Sequence, residues 1–157
     1  MGSSEEEATK AIYQFYDALD QLLRGKGTRA MNEAWHHGPG VTTAHPFGDW
    51  ARGWPEVSAT WEESLAVWAL YKGHDDRTDP VGKIEGLRVV VLGDVALATS
   101  VFKGLMYMSE GPLRLSANCT NVAQRIDGVW KIIHHHADQA PGEWNAAIGA
   151  MVQRGHS

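Results

Sequence analysis

From Val81 onward the sequence reads as four long strand-forming runs separated by tight turns, and this block constrains the fold more than any other feature. Lys83 to Leu92 is the first run, Gly93-Asp94 turns it, and Val95 to Met108 is the second. Glu110-Gly111-Pro112 makes the next break, and Leu113 to Ile126 is the third run. Asp127-Gly128 is a strong two-residue hairpin signal, because the favoured turn needs positive φ at both central positions, and Val129 to His136 is the fourth run. Sequential strands joined this way form an antiparallel meander, and its apolar face has to be covered by the segments around it.

Those segments read as helices. Ser4 and Glu7 have capping-box spacing, and Ile12, Phe15, Tyr16, Leu19, Leu22 and Leu23 then mark one apolar face until Gly25-Lys26-Gly27 ends the helix. Thr28 is placed to cap a short second helix bearing Met31, Ala34 and Trp35, broken by His36-His37-Gly38-Pro39-Gly40. Val41 to Ala44 is a short strand with His45 at its end, and His45 to Gly53 is a loop pinned by the aromatics Phe47 and Trp50. Pro55 suits the first turn of a third helix with Val57, Trp61, Leu65 and Trp68 on one side. A polar connection, His74 to Pro80, leads into the strands, and Trp144, Ile148 and Val152 place a short C-terminal helix over about 141–154.

The order is therefore α+β, and 157 residues with 43% apolar and 21% charged content fit one domain over 1–157 with one core. The net charge of −5 and the scattered basic residues exclude the electrostatic footprint of a nucleic-acid binder and argue against anionic membranes. An acidic N-terminus, no apolar stretch of spanning length and a lone Cys119 point to a cytoplasmic protein without disulfides. There is no phosphate loop, nucleophile elbow or His-Glu-x-x-His helix, which sets aside nucleotide-dependent enzymes and the familiar hydrolases.

The chain resembles the nuclear transport factor 2-like superfamily, and within it the SnoaL-like and ketosteroid-isomerase-like proteins. The resemblance is carried by Tyr13-Gln14-Phe15-Tyr16, by Gly48 and Gly53 ahead of the Val57/Trp61 helix, by Val89 to Ala96, and by Asp127 to His136. It spans about residues 5–138 and implies a cone-shaped α+β barrel, a curved antiparallel sheet wrapped by three N-terminal helices, to which the C-terminal helix is an addition. It also implies a small-molecule cavity, with chemistry ranging over isomerases, dehydratases, cyclases and epoxide hydrolases, and it includes proteins that only bind or assemble. Tyr16 matches a helix tyrosine that points into the cone, while no acidic residue stands at the position of the isomerases' Asp base. Asn118 and Thr120 stand where many relatives resemble Arg-x-Thr, which argues against a carboxylate ligand.

Within that frame the histidines and tryptophans carry the expectations. Strict alternation along the last strand puts Trp130, Ile132, His134 and His136 on one face and His135 on the other. A His-x-His pair joined by His45 would make either a set of proton carriers or a mononuclear site for Zn, Fe, Cu or Ni, with His36, His37, Asp49 or Asp138 as further ligand candidates. Against this stand plain roles: histidines that hydrogen-bond in a pocket or line a dimer face, His36-His37 capping a helix end, Asp49 as a turn residue rather than a base at the cavity mouth. The expected cavity lining is Tyr16, Trp35, His45, Phe47, Trp50, Trp61, Met106, Asn118 and Trp130. The leading expectation is a homodimer, joined through the outer sheet face, that binds a small, largely apolar organic molecule and performs isomerase-, cyclase-, dehydratase- or lyase-type acid/base chemistry. The three-histidine metal enzyme and a non-catalytic binding or assembly module are the alternatives.

Overall fold

The computed structural model describes residues 2–46, 48–69, 82–108 and 111–139. Phe47, the side chains of Trp68 and Met106, the 74–80 connection and the expected helix over 141–154 lie outside the described residues.

Helix α1 (Ser4–Leu23) opens with a capping box one residue earlier than the spacing of Ser4 and Glu7 predicts. The Ser3 hydroxyl accepts from the Glu6 N–H at 3.2 Å and the Glu6 carboxylate accepts from the Ser3 N–H at 3.1 Å. Paired serines followed by three glutamates satisfy the motif in either register, and Glu5, Glu6 and Glu7 all meet the positive end of the helix dipole. Ala8, Ile12, Phe15 and Leu22 on its inner face are fully buried. Helix α2 (Arg29–Ala34) has no side-chain cap. Thr28 instead donates its hydroxyl to Glu62 at 2.6 Å, tying the start of α2 to helix α3 (Trp54–Ala69). Pro55 sits in the first turn of α3, as its fixed φ favours.

The six-stranded sheet runs β2-β1-β6-β5-β4-β3. Strands β3 (Gly82–Leu92), β4 (Val95–Met108), β5 (Gly111–Ile126) and β6 (Val129–Gln139) form the expected antiparallel meander. Asp127 and Gly128 take φ of 52° and 79°, the double positive φ of a type I′ turn. Strand β1 (Thr42–Ala44) joins β6 in parallel, pairing Thr42, Thr43 and Ala44 with His134, His135 and His136. The segment expected to be loop throughout contains β2 (Ala51–Arg52), which pairs back on β1 and brings His45 and Trp50 to the same end of the sheet. The helices cover one face of this sheet, and the shared core includes Ile12, Phe15, Trp35, Trp61, Trp130 and Ile132.

One irregularity decides which side chains the final strand sends inward. Ala123 of β5 stands opposite Ile132 and the next residue, Val122, stands opposite His134, so Ile133 is an extra residue without a partner of its own. A β-bulge of this kind shifts the side-chain alternation by one. Trp130 and Ile132 point inward before it, and His135 and Ala137 point inward after it. The expectation that His134 and His136 share the face of Trp130 and Ile132 is therefore corrected: the middle histidine of the three enters the core.

Candidate functional site

The inner face of β5 and β6, α1, α3 and the segment from His45 to Ala51 enclose a cavity of about 720 Å³. Leu19, Leu23, Phe102 and Cys119 give it apolar walls, and Trp61, His45 and His135 stand along its inner side. Asp49, Glu56 and Glu63 line it as well, and no Lys or Arg is found in the lining among the described residues. Anionic ligands meet an unfavourable field on entry, and neutral apolar ones do not.

His45 follows β1 and is fixed from two sides. Its ring meets Trp61 edge to face at 4.4 Å between centroids, and its Nε2 lies 3.0 Å from the Thr60 hydroxyl. That hydroxyl donates its single proton to the Val57 carbonyl at 2.7 Å, so toward His45 it can only accept. Nε2 therefore carries the hydrogen and Nδ1 is a bare lone pair in the neutral ring, with no hydrogen-bond partner among the described residues. Burial lowers the pKa of His45 from 6.5 to about 4, so the ring is neutral at pH 7.

His135, 3% exposed, packs against Phe15 at 4.6 Å, Trp61 at 6.1 Å and His45 at 6.2 Å between ring centroids. Burial, reinforced by His45, His134 and His136, holds its pKa well below 6.5. Its Nδ1 is walled in without a hydrogen-bond partner. Beside it across the strands, Asn121 accepts the Tyr16 hydroxyl proton at 2.7 Å, and Ser100 Oγ lies 3.2 Å from the same hydroxyl. Tyr16 is thus a hydrogen-bonded phenol behind the cavity rather than part of its lining, and desolvation raises its pKa, with Cys119 adding to the rise. Cys119 lines the cavity as a neutral thiol, pushed up to about 11 chiefly by burial.

The other expected site residues are distributed as follows. Trp61 and Trp50 line the cavity, Trp50 half-exposed beside Asp49. Trp35 and Trp130 are core side chains away from it: Trp35 packs on Phe15, Trp54 and Trp61, and Trp130 lies under the Arg125 guanidinium. Asn118 is exposed on the opposite face of the sheet. The β4–β5 register aligns Ala98 with Asn121 and Ser100 with Cys119, and all four face inward. His134 and His136 stand half-buried on the outer side near Trp50, at 5.7 and 5.2 Å between rings. His134 Nδ1 is also 2.8 Å from the Thr42 hydroxyl. Burial, then His136, lowers the pKa of His134. His136 lines a shallower hollow of about 570 Å³ with His45, Asp49, Trp50 and Asp138. Among the described residues no three His, Cys, Asp or Glu side chains are grouped so as to hold a metal ion, so the set of His45, His134 and His136 is not assembled. His37 donates to the Asn32 carbonyl at 2.7 Å and stacks on Trp54, the helix-end role expected for it.

Sequence reasoning missed His135, Asn121 and Thr60. The stripe of small residues Ala96, Ala98, Ser100 and Ala117, Cys119, Ala123 marks the inward parity of β4 and β5 and would have found Asn121. Nothing in Ile132-Ile133-His134 marks the bulge.

Three helices laid on a curved six-stranded sheet, with a histidine-lined cavity between the layers, define the class: a cone-shaped α+β protein of the nuclear transport factor 2-like type. The chain belongs to the SnoaL-like domain family, which it matches over residues 12–140. It is 26% identical over 129 residues to the F-box protein SKIP8 of Arabidopsis thaliana, covering 82% of this chain and spanning about half, 49%, of that protein's length. Among solved structures it is similar to a nuclear transport factor 2-like superfamily protein from Salmonella enterica, with 15% identity, 88% and 92% of the two chains covered and a TM-score of 0.67. It is similar too to a candidate dehydratase of the same family from Streptomyces avermitilis, with 20% identity, coverage of 87% and 96% and a TM-score of 0.66. The CaMKII hub of S. rosetta has 17% identity, coverage of 89% and 99% and a TM-score of 0.63. At these identities the structural likeness concerns the fold. No helix among the described residues is long and apolar enough to cross a membrane.

Proposed function

We propose that the chain binds a small, largely apolar organic molecule in the cavity and moves a proton on it, with His45 as the general base that also returns the proton. The observation that carries this reading is the locked tautomer of His45: Thr60 holds Nε2–H, which leaves Nδ1 as an unprotonated acceptor on a ring that lines an apolar cavity. A base that is neutral at pH 7 needs no prior deprotonation, and its conjugate acid, disfavoured by burial, gives the proton back readily. Abstraction and return at different carbon atoms is isomerisation, and abstraction with delivery of that proton to a departing hydroxyl, which leaves as water, is dehydration; both are among the acid/base classes expected of the sequence.

A suitable probe is 2-tetralone, an apolar ketone with exchangeable α-hydrogens, followed by proton NMR in D₂O. The expected result is protein-dependent deuteration that falls by about 100-fold or more in His45→Gln, while binding of the hydrocarbon analogue tetralin persists. Exchange that is independent of the protein, or undiminished in His45→Gln, overturns the reading.

A homodimer through the outer sheet face is part of the same proposal. Val90 and Leu97 pair across β3 and β4 and stand about half-exposed beside Leu92, which is 68% exposed, an apolar strip suited to a second sheet.

A further inference from the structure

We propose that Phe102, seated on the bare backbone of Gly82, is the specificity-determining wall of the cavity and sets the length of apolar skeleton that the cavity accepts. This rests on the reading of the cavity as the binding site of a neutral apolar molecule, and adds what limits that molecule's size. Along the inward face of β4 the side chains run Ala96, Ala98, Ser100 and Phe102, and the first three are small and buried. Phe102 is the first large one, and it lines the cavity together with Leu19, Leu23, Leu115 and Ala117.

The room it leaves depends on where its ring lies. Phe102 stands between Ile84 of β3 and Ala117 of β5, and the next pair on the same face of β3 and β4 is Gly82 with Gly104. Two facing glycines leave the inner surface of the sheet without a side chain at that point. The ring fills the gap: a Cβ on Gly82 would overlap the outer edge of Phe102, closer than real Cβ atoms approach a neighbour. Gly82 does not take a positive φ, so the close approach of the ring, rather than a special backbone conformation, is what requires glycine here.

The consequence is directional. Laid over Gly82, the ring leans toward β3 and away from Ala117, whose small side chain leaves the β5 side open. A side chain at position 82 would push the ring the other way, toward Ala117 and Leu115 and into the space a ligand needs. Gly82 is thus a positioning residue that acts through Phe102, and Phe102 is the group that meets the ligand. Removing the ring has the opposite effect and extends the cavity over the paired glycines. A wall of this kind discriminates by length and not by polarity, so the ligand is a compact apolar skeleton.

Equilibrium dialysis of the full chain against tetralin and against 9,10-dihydrophenanthrene, which is longer by one fused ring, tests this. The expected result is that Phe102→Ala shifts the preference toward dihydrophenanthrene by about tenfold relative to the wild type, and that Gly82→Ala weakens tetralin by about tenfold and dihydrophenanthrene by more. In the double variant Gly82→Ala/Phe102→Ala the new methyl group has no ring to push, so tetralin affinity should return to within about twofold of that of Phe102→Ala. A merely structural role would weaken both ligands alike and would show no such rescue. An unchanged preference in Phe102→Ala, or a Gly82→Ala loss that persists in the double variant, overturns the proposal and leaves the His45 reading in place. Failure of the wild-type protein to bind tetralin overturns both. If Phe102→Ala does not fold, Phe102→Leu takes its place, singly and with Gly82→Ala, with the same outcomes at smaller amplitude; if Gly82→Ala does not fold, the preference measured at position 102 decides.

Discussion

Two faces of one strand carry adjacent histidines with opposite circumstances. On the inner face of β6, His135 is enclosed by Phe15, Trp61 and His45, and burial forces it to be neutral. On the outer face, His134 and His136 are half-buried beside Trp50, and His134 shares a hydrogen with Thr42. The three residues are identical in chemistry and contiguous in sequence, so their difference comes wholly from the sheet. It shows that in a strand the chemistry of a side chain is set by parity, and that parity can be reset by a single extra residue, here Ile133.

The contrast can be sharpened by substitutions on each side of the sheet. The largest effect is expected from Ile132→Ala: this side chain is fully buried on the inner face just before the bulge, and its removal should cost about 2–5 kcal/mol, measured by urea unfolding. Next comes acid destabilisation. His45 has a folded pKa of about 4 against 6.5 when unfolded, so between those values the unfolded chain binds more protons and stability rises with pH. The stability is complete above about pH 6.5 and is lost as the pH falls toward 4, by about 3 kcal/mol for His45. His134 and His135 are shifted in the same direction and add to the loss. Unfolding free energies across that range check the slope, and His45→Gln should flatten it. The smallest effects belong to the outer face: His134→Ala should cost about 1 kcal/mol through the Thr42 hydrogen bond, and His136→Ala about 0.5 kcal/mol or less. Outer-face losses as large as that of Ile132→Ala would erase the distinction.

The architecture was largely legible in the sequence because its signals are local. The Asp127-Gly128 turn, the helical spacing of Ile12, Phe15 and Leu22, and the β-rich runs after Val81 each depend on a few neighbouring residues, and each is found where the pattern predicts it. The site was legible only in part. His45 at the end of a short strand was visible, as were Trp50 and Trp61 of the lining. His135 was not, because its inward orientation depends on a pairing offset between β5 and β6 with no sequence mark of its own. The tautomer of His45 was equally hidden, since it depends on Thr60, 15 residues away on another element. Trp35 and Trp130 show the reverse case, aromatic residues whose type fits a pocket wall but whose positions are needed to close the core.

The central claim is that two enclosed, neutral imidazoles face one cavity. Nitrogen-detected NMR of the histidine rings across a pH titration tests it most directly. The account predicts that His45 keeps its hydrogen on Nε2 and titrates only near pH 4, and that His135 stays neutral throughout. Protonation of either ring near pH 6.5, or a His45 hydrogen found on Nδ1, would contradict it.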